Sequence, residues 1–178
     1  MKCLFIGGTG TISEYCTRLA VEKEYEVYLL NRGNNNKRAP EGVKFIRADI
    51  NNEEEAVKAL EGYHFDAVVN FIAFLPEQIE RDIRLFKDKT YQYIFISSAS
   101  AYQKPVSDYM ITESCPLKNS YWEYSRNKIA CEEALMKAYR EIDFPFTVVR
   151  PSYTYGHRSI PFSITNWQSE WNLIDRIL

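Results

Sequence analysis

The order of apolar and helical segments predicts an α/β fold, in which a doubly wound parallel sheet carries helices on both faces. Short apolar runs, each bounded by polar or turn-forming residues, alternate along the chain with longer stretches of helical pattern. Most of these runs do not alternate between apolar and polar residues, which is typical of strands buried on both faces. The repeated strand–helix–strand order favours parallel pairing with right-handed crossovers.

Periodicity and turn-forming residues give the bounds of the predicted elements. Asn51 and Asn52 are suitable caps for the second helix, and glutamates at 53–55 occupy its first turn, where the helix dipole favours anions. Residues 33–38 are rich in asparagine and basic side chains and predict an exposed loop. The predicted strands span 2–6, 26–30, 43–47, 66–72, 91–97 and 145–150, and the predicted helices span 10–22, 52–61, 76–87 and 121–141.

Size, charge and cysteine content limit the classes of protein to consider. The 178 residues are 46% apolar and 26% charged, which suits one globular domain with a substantial core. A net charge of −2 gives no basic surface for nucleic acid or an anionic membrane. The four cysteines lack CxxC spacing, so we expect no metal site and no disulfide framework. The first apolar run is too short for a signal peptide or a spanning helix, and a cytoplasmic location is expected.

A glycine-rich loop, GGTGTIS at residues 7–13, follows the first strand directly and opens the first helix. There, backbone N–H groups and the positive end of the helix can hold a pyrophosphate. Gly7 and Gly10 allow the backbone to turn and to approach a ligand closely. Ser13 stands where a third glycine would ease the packing of helix on sheet, and its small side chain should be tolerated. A tight turn without a ligand is the alternative, but the strand–loop–helix context favours a nucleotide.

The end of the second strand bears on the choice of dinucleotide. An NAD site usually presents an acidic side chain here to the ribose 2′-hydroxyl, whereas an arginine suits a 2′-phosphate. The chain has Asn31 and Arg32 at this point, and Lys37 and Arg38 follow. These residues favour NADP, with NAD as the alternative, although a solvated basic loop would also explain the two later residues.

Two further strand ends could contact a dinucleotide. Asp49 and Ile50 follow the third strand and could bracket an adenine, with the carboxylate facing the exocyclic amine and the aliphatic side chain facing the ring. Ala73 follows the fourth strand, where a chain that passes a ribose needs a small residue. Helix capping explains Asp49 equally well, and simple burial explains Ala73 nearly as well.

Tyr124 and Lys128 form a Y-x-x-x-K pattern on the fourth predicted helix. Residues four apart share a helix face, so the ammonium can lie near the phenol. A phenol has a pKa of about 10, and a cation about 4 Å away at an effective dielectric of about 20 would lower it by up to roughly three pH units. Such a tyrosine could exchange a proton with a substrate hydroxyl while a nicotinamide takes the hydride.

Ser98 lies at the carboxyl end of the fifth strand, on the edge where open α/β sheets bind ligands. Its hydroxyl could bond a substrate carbonyl or alcohol beside Tyr124. Ser97 and Ser100 compete for that role, and strand-end serines are also common turn formers. Residues 150–153 end the sixth strand and should line the same edge.

Four motifs together resemble the extended branch of the short-chain dehydrogenase/reductase superfamily, the NAD(P)-dependent epimerase/dehydratases that include UDP-galactose 4-epimerase. The motifs are, in order, GGTGTIS, SSASAYQKP, YSRNK and VVRPSYTYG. The resemblance implies an NAD(P)-binding Rossmann fold with Tyr124 as catalytic acid/base, Lys128 as the ligand of the nicotinamide ribose, and Ser98 as the third catalytic residue. It also implies that Pro151 and Tyr153 border the nicotinamide. With the positions inferred above, the expected cofactor contacts are Gly7, Thr9, Gly10, Thr11, Ile12, Asn31, Arg32, Asp49, Ile50, Ala73, Ser97, Tyr124, Lys128, Pro151 and Tyr153.

Extended members of that family are considerably longer, and their later part builds the sugar-nucleotide pocket. We therefore expect residues 1–156 to form a dinucleotide-binding domain and residues 157–178 to begin a truncated or missing C-terminal substrate-binding region. An apolar stripe at helical spacing runs to the last residue, and further sequence is favoured over a homodimer or the sheet edge as its cover. The stripe comprises Trp167, Trp171, Ile174 and Leu178.

Two classes of function remain after these inferences. The first is an NAD(P)-dependent enzyme that epimerises, dehydrates or reduces a nucleotide sugar or a similar hydroxyl or carbonyl compound. The second is a non-catalytic relative of the same fold, either a dinucleotide sensor or an RNA-binding protein. The presence of Ser98, Tyr124 and Lys128 together favours the enzyme, and the net charge argues against RNA.

Overall fold

Parallel strands form a single sheet in the computed structural model, which describes residues 1–156. Within these residues the order across the sheet is β3-β2-β1-β4-β5-β6, and each neighbouring pair is parallel. The order reverses between β1 and β4, which confirms the predicted doubly wound sheet. The strands are β1 (Lys2–Ile6), β2 (Glu26–Asn31), β3 (Lys44–Arg47), β4 (Ala67–Asn70), β5 (Tyr93–Ile96) and β6 (Phe146–Val149).

The helices lie within or close to their predicted ranges. The predicted cap Asn52 begins the second helix, where its side chain accepts a hydrogen bond from the N–H of Glu55 at 3.2 Å. Short 3₁₀ turns span Asn36–Arg38 and Ala99–Ala101. The α-helices are α1 (Ser13–Glu22), α2 (Glu53–Ala59), α3 (Pro76–Phe86) and α4 (Glu123–Ile142).

Four of the six strands are shorter than predicted, whereas β1 spans its predicted range and β2 extends one residue further. Of the predicted run 66–72, only Ala67–Asn70 forms a strand. The side-chain oxygen of Asn70 then accepts a hydrogen bond from the N–H of Ile72 at 2.8 Å, and the chain turns out of the sheet. In register, Ile6 is level with Leu30 on one side and with Asn70 on the other. The loops that follow these three strands therefore open on one edge.

Two apolar layers enclose the sheet. The larger layer holds Leu4 and Phe95 of the sheet with Ile79 of α3 and Leu135 of α4, all of them fully buried. The smaller layer covers the opposite face and includes Ala20 of α1. This distribution confirms that helices cover both faces of the sheet, as continuous apolar strands predict.

Some predictions concern the remaining residues. The predicted C-terminal region 157–178, and the stripe formed by Trp167, Trp171, Ile174 and Leu178, lie outside the described residues, so the two-part division of the chain stays a prediction. Among the helices of residues 1–156, none has the length and apolar character needed to cross a membrane.

Candidate active site at the carboxyl edge of the sheet

The glycine loop after β1 has a backbone that only glycine adopts easily. Gly7 and Gly8 have φ angles of 107° and 81°. A Cβ on Gly8 would lie 2.4 Å from a methyl of Leu29, and one on Gly7 would lie 3.1 Å from a methyl of Ile72. Gly8 was absent from the expected contacts. The sequence signal that could have indicated this packing role is the position of Gly8 directly after Gly7 at the end of a strand.

Ser13 supports the loop from the first turn of α1. Its buried hydroxyl accepts a hydrogen bond from the N–H of Gly10 at 2.8 Å. Thr17, one turn further, donates to the carbonyl of Gly8 at 3.0 Å. A Cβ on Gly10 would approach Ser13 only to 3.4 Å, so packing alone does not demand glycine there. The open face of Gly10 is therefore available for close approach by a ligand.

Two clefts border the loop. A cleft of about 260 Å³ lies between the ends of β1, β2 and β3, and a second, of about 210 Å³, lies between the loop and α1. Of the expected contacts, the first is lined by Gly7, Thr9, Asn31, Arg32, Asp49 and Ile50, and the second by Thr9, Gly10 and Thr11. Arg38, Tyr15 and Gly156 line the second cleft as well, and the sequence had not placed them together.

The first of these clefts, where the predicted adenosine contacts lie, is called the adenosine end of the groove, and its charged side chains are open to solvent. The guanidinium of Arg32 lies 4.0 Å from the carboxylate of Asp49, with 68% and 36% of the two side chains exposed. Asn31 turns its side-chain oxygen toward the N–H of Gly33, at 2.7 Å. Asp49 accepts from the N–H of Asn51 at 3.0 Å, a turn that precedes the helix, and the capping interpretation of Asp49 is wrong because Asn52 caps α2.

Lys128 is the most constrained of the expected catalytic residues. Only 1% of it is exposed, and its ammonium donates to the carbonyls of Ala73 and Ile96 at 2.7 and 2.8 Å. The ammonium also lies over the rings of Phe74 and Phe95, at 4.6 and 4.7 Å from their centroids. Burial lowers the pKa of Lys128 to about 8. The lysine thus joins the ends of β4 and β5 beneath α4.

Tyr124 lies one turn before Lys128, but its pKa does not respond to that lysine as expected. The Lys128 ammonium is 5.7 Å from the centroid of the Tyr124 ring and points to two carbonyls instead of the phenol. Partial burial raises the pKa of Tyr124, and a hydrogen bond with Ser98 opposes that rise. The predicted lowering by Lys128 is therefore wrong for this structure. For the dinucleotide-bound protein it stays a prediction.

The structure distinguishes the three serines that competed for the catalytic place. Ser97 is buried and donates its hydroxyl to Glu132. The hydroxyl of Ser100 accepts from Ser125 at 3.0 Å. Ser98 accepts from the N–H of Ser100 at 3.1 Å, and it is the serine whose hydroxyl opposes the rise in the pKa of Tyr124. Ser97 stays a predicted cofactor contact, although its side chain is engaged within the protein.

An ion pair that the sequence did not predict connects β6 to α4. Arg150 donates to both carboxylate oxygens of Glu132, with a shortest distance of 2.6 Å, and to the hydroxyl of Tyr102 at 3.1 Å. The two charged side chains are only 19% and 7% exposed. Next to this pair, the carbonyl of Pro151 accepts from the N–H of Ala99 at 2.9 Å. The Arg150–Glu132 pair therefore fixes the end of β6, after which residues 151–153 leave the sheet.

Aromatic side chains flank the candidate acid/base. The ring of Trp122 lies 4.7 Å from that of Tyr124, and the ring of Phe74 lies 6.3 Å away, measured between centroids. Both flanking residues are nearly half exposed, and Tyr153 is 60% exposed. Within residues 1–156 no cluster of three or more His, Cys, Asp and Glu side chains could hold a metal ion.

A parallel sheet of this strand order, with a glycine loop at the switch point, defines an NAD(P)-binding Rossmann domain. The chain belongs to the NAD dependent epimerase/dehydratase family, since the model of that family matches residues 3–167. A search of curated protein sequences found no match.

Solved structures with this fold include several sugar-nucleotide enzymes. One is the dTDP-glucose 4,6-dehydratase of Bacillus anthracis in complex with NAD, with 19% identity and a TM-score of 0.77 over 90% of this chain and 57% of that one. The UDP-glucose 4-epimerase of Thermus thermophilus in complex with NAD has 19% identity and a TM-score of 0.77, over 92% and 59%. The UDP-Glc/GlcNAc 4-epimerase of Campylobacter jejuni has 22% identity and a TM-score of 0.74, over 84% and 52%. The chain thus spans little more than half the length of these proteins.

Proposed function

We propose that the chain is the dinucleotide-binding part of an NAD(P)-dependent enzyme that acts on a nucleotide sugar, or a similar hydroxyl or carbonyl compound, by hydride transfer. The observation that carries this proposal is the placement of Ser98, Tyr124 and Lys128. The three residues meet at the carboxyl edge of the sheet, where β4 and β5 end, beside the switch point that the glycine loop occupies.

Each of the three residues has a distinct role in this proposal. The phenol of Tyr124 exchanges a proton with the substrate hydroxyl that becomes a carbonyl, and Ser98 bonds the same oxygen and holds it near the phenol. Lys128, held by two backbone carbonyls, presents its remaining N–H to the nicotinamide ribose. The nicotinamide, when bound, accepts and returns the hydride.

The substrate class and the reaction outcome come from the family and its relatives. The three solved relatives are a dTDP-glucose dehydratase and two epimerases of UDP-sugars. Because this chain covers only part of their length, the sugar-nucleotide pocket requires residues beyond 1–156. Epimerisation and dehydration begin with hydride transfer from the substrate to the oxidised nicotinamide, whereas simple reduction transfers hydride in the opposite direction. The three residues serve proton and hydride transfer in either direction.

NADP is the proposed cofactor, with NAD as the alternative. Arg32 lies at the cleft that would take the adenosine and has most of its side chain exposed, so it can turn toward a 2′-phosphate. Asp49 competes for this guanidinium at 4.0 Å. Two of the solved relatives contain NAD, which favours the alternative.

The test compares Tyr124→Phe with Gly10→Val in the protein that carries this chain. Tyr124→Phe removes one hydroxyl, so turnover of UDP-glucose or dTDP-glucose should fall by about 10²–10⁴-fold while NADPH affinity stays nearly unchanged. Gly10→Val places a branched side chain on the open face of the loop and should abolish NADPH binding measured by calorimetry. Full turnover in Tyr124→Phe, or unchanged affinity in Gly10→Val, would contradict the proposal.

A further inference from the structure

A buried polar cluster, the Asp82 network, connects the two ends of the candidate groove. Asp82 on α3 is fully buried and accepts from Nε and Nη2 of Arg81 at 3.0 and 2.7 Å. Its second carboxylate oxygen accepts from the hydroxyl of Tyr93 at 2.6 Å and from the side-chain amide of Asn70. Four donors thus converge on one carboxylate in the core. The network consists of Asn51, Asn70, Arg81, Asp82 and Tyr93.

One branch of the network reaches the catalytic lysine. The N–H of Ile72 donates to Oδ1 of Asn70 at 2.8 Å, which leaves the amide nitrogen of Asn70 to face Asp82. This bond sets the turn by which the chain leaves β4. The next residue, Ala73, presents the carbonyl that accepts from Lys128 at 2.7 Å. Asp82 therefore holds Asn70, and Asn70 sets the carbonyl that holds the lysine.

The other branch reaches the adenosine end. Nη1 of Arg81 donates to the side-chain oxygen of Asn51 at 2.8 Å. Asn51 lines the cleft of about 260 Å³, and its backbone N–H bonds the carboxylate of Asp49. Arg81 is almost as buried as Asp82. A single buried ion pair thus contacts the loop after β3 and, through Asn70, the loop after β4.

Stability gives no strong reason to keep this ion pair. Well-packed apolar side chains in place of a buried ion pair are often neutral or stabilising. Burial raises the pKa of Asp82, and the neighbouring guanidinium of Arg81 opposes that rise. The ionised carboxylate suits the four donors, and both branches end on loops of the dinucleotide groove. A positioning role explains why both branches of the network end on loops of the groove, whereas a role in stability does not explain where either branch ends.

We infer that Asp82 is a positioning residue that orients the Asn70 turn, and with it the Ala73 carbonyl and Lys128, while its partner Arg81 fixes Asn51 at the adenosine end. The inference rests on the proposed function, because it assigns the network to the dinucleotide site. It predicts that the network matters to binding at both ends of the cofactor, although none of Asn70, Arg81 and Asp82 is expected to touch it.

The test exchanges the amide of Asn70 and the carboxylate of Asp82. Asn70→Asp keeps the acceptor for Ile72 but sets two carboxylates against each other, and Asp82→Asn removes the charge opposite Arg81. The double variant N70D/D82N restores one carboxylate, one amide and the same net charge. Tyr93→Phe is the matched control, since it removes one hydrogen bond to Asp82 without breaking either branch.

Affinities for NADPH and for adenosine 2′,5′-bisphosphate, which lacks both the nicotinamide and its ribose, separate the two branches. Asn70→Asp should weaken NADPH binding by about tenfold or more, the effect of one charge-assisted hydrogen bond, with little change for adenosine 2′,5′-bisphosphate. Asp82→Asn should weaken both ligands, and the double variant should recover most of both affinities. Tyr93→Phe should lower the unfolding temperature but retain both affinities. If Tyr93→Phe and the single variants lose stability alike while all affinities are unchanged, the network is merely structural.

A second measurement needs no ligand and keeps the inference separate from the proposed function. Acylation of Lys128 by an amine-specific reagent, followed by peptide mass spectrometry, reports how firmly Ala73 and Ile96 hold the ammonium. The exposed Lys137 serves as the internal reference. Labelling of Lys128 should rise several-fold in each single variant and return in the double variant. If the parent binds no dinucleotide, the proposed function fails, and this labelling pattern alone then supports or overturns the positioning of Lys128.

Discussion

The two ends of the groove are built in opposite ways. At the adenosine end, Arg32 and Asp49 are exposed and 4.0 Å apart, so water and a ligand can easily rearrange them. At the proposed nicotinamide end, meaning the surroundings of Tyr124 and Lys128, the ammonium of Lys128 is buried on two carbonyls, and Glu132 is buried against Arg150. Exposed ion pairs contribute little to stability, whereas buried pairs depend on every partner. The fold therefore encloses the contacts of the proposed nicotinamide end and leaves the proposed adenosine end open and adaptable.

The largest difference should appear between two glutamates that each bind an arginine through two hydrogen bonds. Glu132→Gln leaves the partly buried guanidinium of Arg150 without a counter-charge, and we expect a loss of about 3 kcal/mol in the free energy of unfolding. Glu53→Gln breaks the exposed pair with Arg84 and should have a much smaller effect. Urea unfolding of both variants measures this, and equal losses would remove the contrast between the buried and the exposed ion pair.

A pH series on Lys128→Met tests the burial of the lysine. The folded pKa of about 8 lies below the ordinary value of 10.5, so the unfolded chain binds more protons between these pH values. The parent should therefore gain stability as the pH rises through this window, by up to about 3 kcal/mol, and the Met variant should lack that gain. Thermal or urea unfolding at several pH values measures both proteins. Parallel pH curves would show that Lys128 is not desolvated.

Gly62 and Gly8 both have a positive φ, and comparing them separates the cost of packing against Leu29 from the cost of a left-handed backbone. Gly62 has a φ of 73° and open space around its Cβ position, so Gly62→Ala should cost only the left-handed backbone, about 1–2 kcal/mol. Gly8→Ala adds a clash with Leu29 and should cost about 1–3 kcal/mol more, with loss of dinucleotide binding. Unfolding and calorimetry of the pair measure this. Identical costs would show that Leu29 moves aside freely.

The smallest effect should come from Arg32→Ala at the adaptable end. If Arg32 bonds the 2′-phosphate, NADPH should bind more tightly than NADH, and the variant should lose that preference. A charge-assisted hydrogen bond is worth about 1.5–3 kcal/mol when shielded, so exposure of Arg32 and competition from Asp49 should hold the preference near or below about tenfold. Titration of both dinucleotides with both proteins measures it. A parent that prefers NADH would decide for NAD.

The sequence by itself determined the elements and the loop. Continuous apolar runs predicted the parallel strands, and GGTGTIS after the first run predicted the turn in which Gly7 has a φ of 107°. Tyr124 and Lys128 fell on one helix as their spacing required. All of these features depend on residues close together in the chain, where periodicity and backbone conformation leave few alternatives.

Only the tertiary structure decided which partners the side chains find. Lys128 was expected to face Tyr124 but donates to Ala73, which lies 55 residues away in the chain. Ser97 donates its hydroxyl to Glu132, which lies 35 residues away in the chain. Ser98 is therefore the serine that interacts with the phenol of Tyr124. The physical reason is that a buried polar group must find a hydrogen-bonding partner wherever the fold brings one within reach. Sequence spacing constrains neighbours on one helix, but distant strand ends meet only when the sheet has formed.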